Sequence, residues 1–166
     1  MRRSVTIAAL GLLALAACTQ APPPPPPDTR AADEKSFHDE VTAFLSDWGS
    51  KDLEKIVSHY SDDASVEIPD MPVIQSKDAM RNALKPFLAD ANFSFAAASD
   101  KMEIAKGGDL AYVQGHYTLT STDPKTKKKV TEIGKFVTVF KRQADGSWKA
   151  VQDINNEDAA PAPSKS

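Results

Sequence analysis

The feature that most constrains the fold of this chain is a change of hydrophobic period between Val41 and Pro69. Apolar residues first recur every three or four positions, and from Ala64 they recur every two positions. The first period is typical of a helix with one buried face, and the second is typical of a half-buried strand. This stretch therefore predicts two amphipathic helices that lead directly into the first strand of a sheet.

The boundaries of these elements follow from single residues. Gly49 is expected to end the first helix, because glycine readily adopts the left-handed conformation found after a helix. Ser50 is expected to cap the second helix, which the pattern ends at residues 61–63, just before Ala64. The apolar stripe of the first helix comprises Phe37, Val41, Phe44, Leu45 and Trp48.

The rest of the chain predicts a third helix and a sheet. Ser76 can cap the third helix, which Pro86 is expected to kink or end. Alternating residues then predict long strands that meet at turns such as 107–108 and 145–146. The order of elements predicts an α+β domain in which three N-terminal helices pack on one face of a curved antiparallel sheet.

Residues 1–17 have the form of a lipoprotein signal peptide. A basic start precedes an apolar run that is shorter than the about 20 residues needed to span a membrane. The segment Leu15-Ala16-Ala17-Cys18 resembles the bacterial lipobox. This resemblance implies acylation of Cys18 and anchoring in membrane lipid. By the same resemblance, Thr19 after the cysteine implies the outer membrane, with the protein facing the periplasm. A conventional leader with an incidental cysteine is the alternative.

Composition divides the remainder into a spacer, a domain and a tail. Half of the 12 prolines lie in the run 22–27, and polyproline is a stiff, extended chain. Residues 18–32, which include this run, are therefore expected to form a spacer, residues 33–157 the domain, and residues 158–166 a disordered tail.

Charge and cysteine content exclude several kinds of site. The net charge is −3 and becomes −5 without Arg2 and Arg3, which argues against nucleic acid as a partner. Cys18 is the only cysteine, so an internal disulfide and a thiolate metal cluster are excluded. No spacing of His, Asp and Glu suits a metal, and no cofactor is expected. The lysines of residues 125–129 predict a solvated hairpin tip, with contact with anionic lipid as the alternative.

The stretch from Val41 to Pro69 also resembles the SnoaL-like and ketosteroid-isomerase-like branch of the nuclear-transport-factor superfamily. It matches without a gap the family pattern of two helices followed by Y/F-x-D-D-A-x-V and a proline. This resemblance implies a cone-shaped fold with an apolar pocket between the sheet and the first helices. Further similarity lies in Gly115-His116-Tyr117, Gly134-Lys135-Phe136 and Asp145-Gly146-Ser147-Trp148-Lys149.

The same resemblance argues against steroid isomerisation. Ketosteroid isomerases use a tyrosine and a protonated aspartic acid as an oxyanion hole and a second aspartate as the base. The tyrosine of the family falls on Phe44 and its base falls on Ile68. The strand predicted over 133–141, where the third group belongs, contains no acidic residue.

Three polar residues could supply another acid–base pair, as in scytalone-dehydratase-like relatives, which use a His-Asp pair. His59 lies off the apolar stripe and is expected to be exposed, and His116 is expected to face away from the cone. Asp153 could face either way, because strand twist or a bulge can redirect it. The catalytic candidates are therefore Asp153 and His116, in an isomerase, dehydratase or cyclase acting on a carbonyl or polyketide-like compound.

Three functions are compatible with this sequence. The first is a lipid-anchored, non-catalytic domain that binds a small apolar ligand or a protein partner, and the second is the enzyme described above. The third is an interaction protein that forms a homodimer through the outer face of its sheet. The residues predicted to line the pocket are Phe44, Trp48, Tyr60, Ile68, Phe87, Phe95, Tyr117, Phe136 and Asp153. The residues predicted on the outer face are Tyr112, Gln114, His116, Thr118, Thr138 and Phe140.

Overall fold

The structure is a computed structural model that describes residues 30–158. The predicted signal peptide, Cys18, the spacer up to residue 29 and the tail from residue 159 lie outside the described residues. Within the described range the chain forms three helices and six strands. The helices are α1 (Arg30–Ser50), α2 (Leu53–Ser58) and α3 (Lys77–Leu88). The strands are β1 (Tyr60–Glu67), β2 (Ile74–Gln75), β3 (Ser94–Ile104), β4 (Leu110–Thr122), β5 (Lys129–Arg142) and β6 (Trp148–Glu157).

All six strands belong to one curved sheet with the order β2-β1-β6-β5-β4-β3. The long strands from β3 to β6 pair antiparallel with their neighbours in the chain, as short hairpin connections require. β6 then returns beside β1 and runs parallel to it, which is the one parallel pair in the described sheet. The predicted α+β class, with three helices and a curved sheet, is confirmed.

The core lies between α1 and the concave face of the sheet. Phe37 packs edge-on against Phe140 with 5.4 Å between ring centroids, and it contacts the ring of Trp148 at 5.2 Å. Phe44, two turns further along α1, meets Phe140 at 5.6 Å. Such aromatic contacts add to the free energy gained by burying the rings. The predicted stripe therefore packs α1 across the sheet.

The junction between α1 and α2 differs from the prediction. α1 continues through Gly49 to Ser50, and the left-handed residue is Lys51, with φ 63°. Asp52, rather than Ser50, caps α2, because its carboxylate accepts a hydrogen bond from the backbone N–H of Lys55 at 3.2 Å. Gly49 instead permits close packing, since a Cβ there would lie 3.3 Å from the carbonyl oxygen of Phe95. The predicted stop and cap were therefore wrong.

The change from helix to strand also comes earlier than predicted. α2 ends at Ser58, and β1 begins at Tyr60 instead of Ala64. Tyr60 pairs with Ala150 of β6, so its backbone belongs to the sheet although its apolar side chain continues the helical pattern. Pairing with a distant strand overrides the local period here.

The third helix begins as predicted and ends slightly later than its proline. The hydroxyl of Ser76 accepts a hydrogen bond from the backbone N–H of Ala79 at 3.3 Å and caps α3. α3 continues two residues beyond Pro86 and ends at Leu88. None of the three described helices is long and apolar enough to cross a membrane.

Candidate functional site

An open cavity lies between α1, α3 and the concave face of the sheet. Inside it, about 70 Å³ is available to the centres of water-sized molecules, several times the roughly 10–15 Å³ needed to hold one water. All of the predicted pocket residues except Tyr60 line it. Residues of the wall that the sequence did not identify are Leu45, Val66, Met71, Ala83, Leu84, Phe93, Leu119, Thr138 and Asn155.

Aromatic rings form one side of this cavity. Phe95 of β3 stacks on Tyr117 of β4 with 5.8 Å between centroids, because the two residues face the same side of adjacent strands. Trp48 of α1 contacts Phe95 at 5.5 Å and extends the aromatic surface to the helix. This side of the cavity suits a flat, apolar molecule.

The wall of the cavity also contains a buried carboxylate, Asp153 of β6. The side chain is 4% exposed and receives three hydrogen bonds. The Tyr60 hydroxyl donates to Oδ2 at 2.7 Å, and the Thr138 hydroxyl donates to Oδ1 at 3.0 Å. The Asn155 amide also donates to Oδ1, at 3.3 Å. The carboxylate is thus fixed by donors from β1, β5 and β6.

A bulge in β6 directs Asp153 inward. Val139 pairs with Gln152, but Phe140 pairs with Ala150, so Val151 is an extra residue without its own partner on β5. In a regular strand that continued from Ala150, the residue facing inward would be Gln152. The extra residue shifts the alternation by one, and Asp153 becomes buried instead.

Burial changes the acidity of both members of the Asp153–Tyr60 pair. Loss of water raises the pKa of Asp153 above its ordinary value, while hydrogen bonds from Tyr60, Thr138 and Asn155 oppose this rise. Burial, followed by the charge of Asp153, raises the pKa of Tyr60 well above its ordinary value. Tyr60 therefore stays protonated and acts as a donor to the carboxylate.

Tyr60 does not line the cavity, contrary to the prediction. It is completely buried behind Asp153, because β1 pairs with β6 at this point. Its ring packs against Phe44 with 5.7 Å between centroids. Tyr60 is consequently a residue that positions the carboxylate.

The two histidine candidates lie away from the cavity. His116 is exposed on the outer face of β4, and its Nδ1 lies 3.0 Å from Oδ1 of Asp100. His59 was expected to be exposed, but it is buried at the start of β1, between Glu40 and Asp47 of α1. The tertiary fold therefore does not bring either imidazole to Asp153 inside the cavity.

Two residues predicted on the outer face are buried inside. Thr138 pairs with Val113, and Phe140 pairs with Ala111. Directly paired residues share a face of a sheet, and both partners on β4 face the core. The register of β4 with β5 therefore corrects the prediction, and the alternation from Phe136 could have placed Thr138 inside.

The described residues contain no group of three or more His, Cys, Asp or Glu side chains arranged to hold a metal ion. The polar chemistry of the cavity comes from the residues around Asp153.

Comparison with protein families identifies the domain. The sequence pattern of the SnoaL-like domain matches residues 41–151. The chain belongs to the SnoaL-like domain family. No protein with a curated description matches the sequence of this SnoaL-like chain.

Solved structures share the fold of this SnoaL-like domain at low sequence identity. A ketosteroid isomerase-like protein from Erwinia carotovora atroseptica SCRI1043 has a TM-score of 0.67 and 17% identity, over 76% of this chain and 96% of that one. An NTF2-like superfamily protein from Salmonella enterica serovar Typhimurium LT2 has a TM-score of 0.63 and 11% identity, over 82% and 99%. An NTF2-like protein with a cystatin-like fold from Novosphingobium aromaticivorans has a TM-score of 0.59 and 16% identity, over 80% and 87%. These similarities establish the cone fold.

The SnoaL-like domain presents apolar side chains where the sequence comparison with ketosteroid isomerases expects working groups. Phe44 and Ile68 both line the cavity, and neither can donate or accept a proton. Asp153 is the acidic residue in the cavity wall. An open apolar cavity with one buried carboxylate is compatible with ligand binding and with proton transfer of the isomerase or dehydratase type.

Proposed function

We propose that this SnoaL-like domain binds a small, largely apolar molecule that carries one hydrogen-bonding group. The observation that carries the proposal is a buried carboxylate in the wall of an open and otherwise mostly apolar cavity. The apolar surface supplies the free energy of binding, and the carboxylate orients the ligand.

The hydrogen bonds of Asp153 indicate which polar group the ligand carries. A carboxylate has about four acceptor positions, and Tyr60, Thr138 and Asn155 occupy three of them. The remaining position, on Oδ2, suits a hydroxyl or N–H of the ligand. We therefore expect a neutral aromatic or alicyclic compound with one such donor.

Binding is tested with N-phenyl-1-naphthylamine, a neutral fluorescent compound with one N–H group. Ala83→Phe fills the cavity from α3 and is expected to weaken binding at least about tenfold, equivalent to about 1.4 kcal/mol. Ala43→Phe adds the same ring at an exposed position of α1 and is the matched control. Equal affinity of the two variants, with both folded by circular dichroism, would contradict binding in this cavity.

A second candidate function is enzymatic. Its support is the raised pKa of Asp153, a buried carboxyl group that accepts a hydrogen bond from Tyr60 in the wall of an apolar cavity, since a shifted pKa in a cavity is typical of groups that transfer protons. The substrate would be a carbonyl compound with an acidic C–H bond.

The enzymatic candidate is tested by exchange of the acidic C–H protons of β-tetralone in D₂O, followed by NMR. Asp153→Asn should lower the rate by about 100-fold or more, the contribution typical of a general base. His116→Gln changes an exposed residue outside the cavity and serves as the control. A wild-type rate equal to that in buffer removes the enzymatic candidate and leaves the binding proposal in place.

We further propose that the domain is anchored to membrane lipid through Cys18. The support is the lipobox-like segment Leu15-Ala16-Ala17-Cys18 after a short apolar run, with a proline-rich spacer behind it. Expression of the full chain in a Gram-negative bacterium with labelled palmitate should give a labelled outer-membrane protein. Cys18→Ser should abolish labelling, and a labelled Cys18→Ser protein would contradict the anchor.

The outer face of the sheet supports a proposal of self-association. Val137 and Ile154 are paired neighbours on β5 and β6 and are 40% and 36% exposed, and Ile133 on the same face is 58% exposed. Such a cluster of exposed apolar residues is typical of an interface. Sedimentation should give a dimer that Val137→Lys dissociates and Val73→Lys, at an exposed valine before β2, does not. A monomer at all concentrations would contradict this proposal.

A further inference from the structure

One buried imidazole in this domain is held by two carboxylates at once. His59 lies between α2 and β1, and its side chain is only 9% exposed. Nδ1 is 2.7 Å from Oε1 of Glu40, and Nε2 is 2.9 Å from Oδ2 of Asp47. Both partners belong to α1, so the imidazole joins this helix to the start of the sheet.

This geometry depends on protonation. An ionised carboxylate only accepts hydrogen bonds, so each ring nitrogen of His59 must donate. Only the charged imidazolium has two N–H groups, whereas neutral histidine would direct a lone pair at either Glu40 or Asp47. Deprotonation therefore breaks one of the two contacts and replaces it with repulsion.

The neighbouring charges favour the imidazolium. Burial lowers the pKa of His59, but hydrogen bonds and charge from Glu40 and Asp47 outweigh burial, and the pKa is raised. On the β6 side, the ammonium of Lys149 donates a hydrogen bond to the carbonyl of Ser58, the residue before His59, at 2.7 Å. Its positive charge acts in the opposite direction to the two carboxylates.

The same face of α1 carries part of the cavity wall. Glu40, Phe44 and Asp47 follow each other at intervals of four and three residues, which places them on one face of the helix. Phe44 meets the His59 ring edge-on at 5.7 Å and also lines the cavity. Phe44 therefore connects His59 to the cavity, and it lies on α1 between the two residues, Glu40 and Asp47, that pair with His59.

We propose that His59 is a pH-dependent clamp that holds α1 and the Phe44 wall of the cavity in place at acidic to neutral pH and releases them as the pH rises. The proposal rests on the proposed binding function, since it concerns regulation of the same cavity. A ligand binds best to the clamped wall, because a loosened α1 must first be ordered. Affinity therefore falls when His59 loses its proton.

Three measurements on the full chain test the clamp. NMR follows the titration of the His59 ring. Hydrogen–deuterium exchange of residues 40–48, corrected for the intrinsic effect of pH, follows the order of α1 without any ligand. Fluorescence of N-phenyl-1-naphthylamine, which keeps its charge over this range, gives the affinity from about pH 6 to about pH 9.

The variants separate the clamp from other titrating groups. Asp47→Asn lets the amide donate to neutral His59, so the imidazole no longer needs two protons. Asp39→Asn removes an exposed carboxylate of α1 that pairs with Lys35, and it is the matched control. His59→Gln retains Asp153 and the other titratable groups, so a pH effect that it keeps does not belong to His59.

In the wild type and in Asp39→Asn, His59 should titrate above 6.5, the ordinary value of its pKa. Over that titration, exchange of residues 40–48 should increase and affinity should fall by at least about threefold. Asp47→Asn should lower the pKa of His59. The increase in exchange and the fall in affinity should both be smaller in Asp47→Asn and in His59→Gln than in the wild type.

Two results would overturn the clamp: titration of His59 at or below its ordinary pKa, or exchange and affinity that stay constant while His59 titrates. If the chain binds no probe at any pH, but the hydrogen–deuterium exchange of residues 40–48 changes as His59 titrates, the binding function is overturned. The effect of His59 on the order of α1 would then still stand. Failure of the clamp and failure of the proposed function are thus distinguishable.

Discussion

Asp153 is tolerated in the core because its charge is distributed over three donors. An unpaired carboxylate in an apolar interior would carry a large desolvation cost, which its hydrogen bonds offset. The shortest of these comes from Tyr60, at 2.7 Å, and it joins the first strand of the sheet to the last. The stability of the domain and the geometry of its cavity therefore depend on the same pair.

Tyr60→Phe should reduce the free energy of unfolding by about 1.5–3 kcal/mol, because it removes a donor to a buried charged group without creating a cavity. It should also raise the pKa of Asp153 further. Urea denaturation near neutral pH measures the first effect. Tyr112→Phe, which removes a hydroxyl that donates to exposed Glu103, is the control and should leave the free energy of unfolding unchanged. Equal losses in both variants would contradict the special role of Tyr60.

At the scale of elements, the site depends on departures from regular structure. The extra residue Val151 in β6 determines that Asp153 faces the cavity. The left-handed Lys51 ends α1 and leaves Asp52 free to cap α2. α2 has only six residues, so its cap contributes a large part of its stability.

Asp52→Ala should lower the free energy of unfolding by about 1 kcal/mol, the typical cost of losing an N-cap side chain. Ser50→Ala should have a much smaller effect, although the sequence pattern favours Ser50 as the cap. The comparison is made by thermal unfolding of both variants under the same conditions. A larger loss in Ser50→Ala would show that α2 is capped as the sequence alone suggests.

At the scale of the whole molecule, the fold shifts the protonation of two buried groups in the same direction. His59 and Asp153 both have a raised pKa in the folded state. A raised pKa stabilises the fold below the unfolded value and loses this contribution as the pH rises through the folded value. Surface carboxylates with a lowered pKa, such as Asp90, act in the opposite direction and lose their contribution in acid.

The free energy of unfolding should therefore decrease as the pH rises from about 6.5 through the raised pKa of His59. His59→Gln should remove this decrease. His116→Gln, at a histidine whose side chain is 60% exposed, should keep it. Urea denaturation between about pH 6 and pH 9 measures the free energy of unfolding of each protein. A wild-type free energy that varies with pH no more than that of His59→Gln would contradict the assignment of the decrease to His59.

Much of the architecture could be predicted because periodic burial is a local property. The stripe of α1 follows from spacing alone, and the structure buries Phe37, Val41 and Phe44 and packs Leu45 and Trp48 against the core. The cavity aromatics also follow from these faces. Predictions were wrong where a partner distant in sequence decides the conformation, as for Tyr60 in β1 and for Thr138 on β5.

The order of the elements, the buried stripe of α1 and the SnoaL-like cone follow from the amino-acid sequence. The contact of Asp153 with Tyr60 and the position of His59 between Glu40 and Asp47 arise only when distant elements pack together. The physical reason is that hydrophobic spacing reports the faces of one element at a time. The bulge, the hydrogen bonds and the ion pairs join residues up to 93 positions apart, and their free energy exists only when the elements have packed.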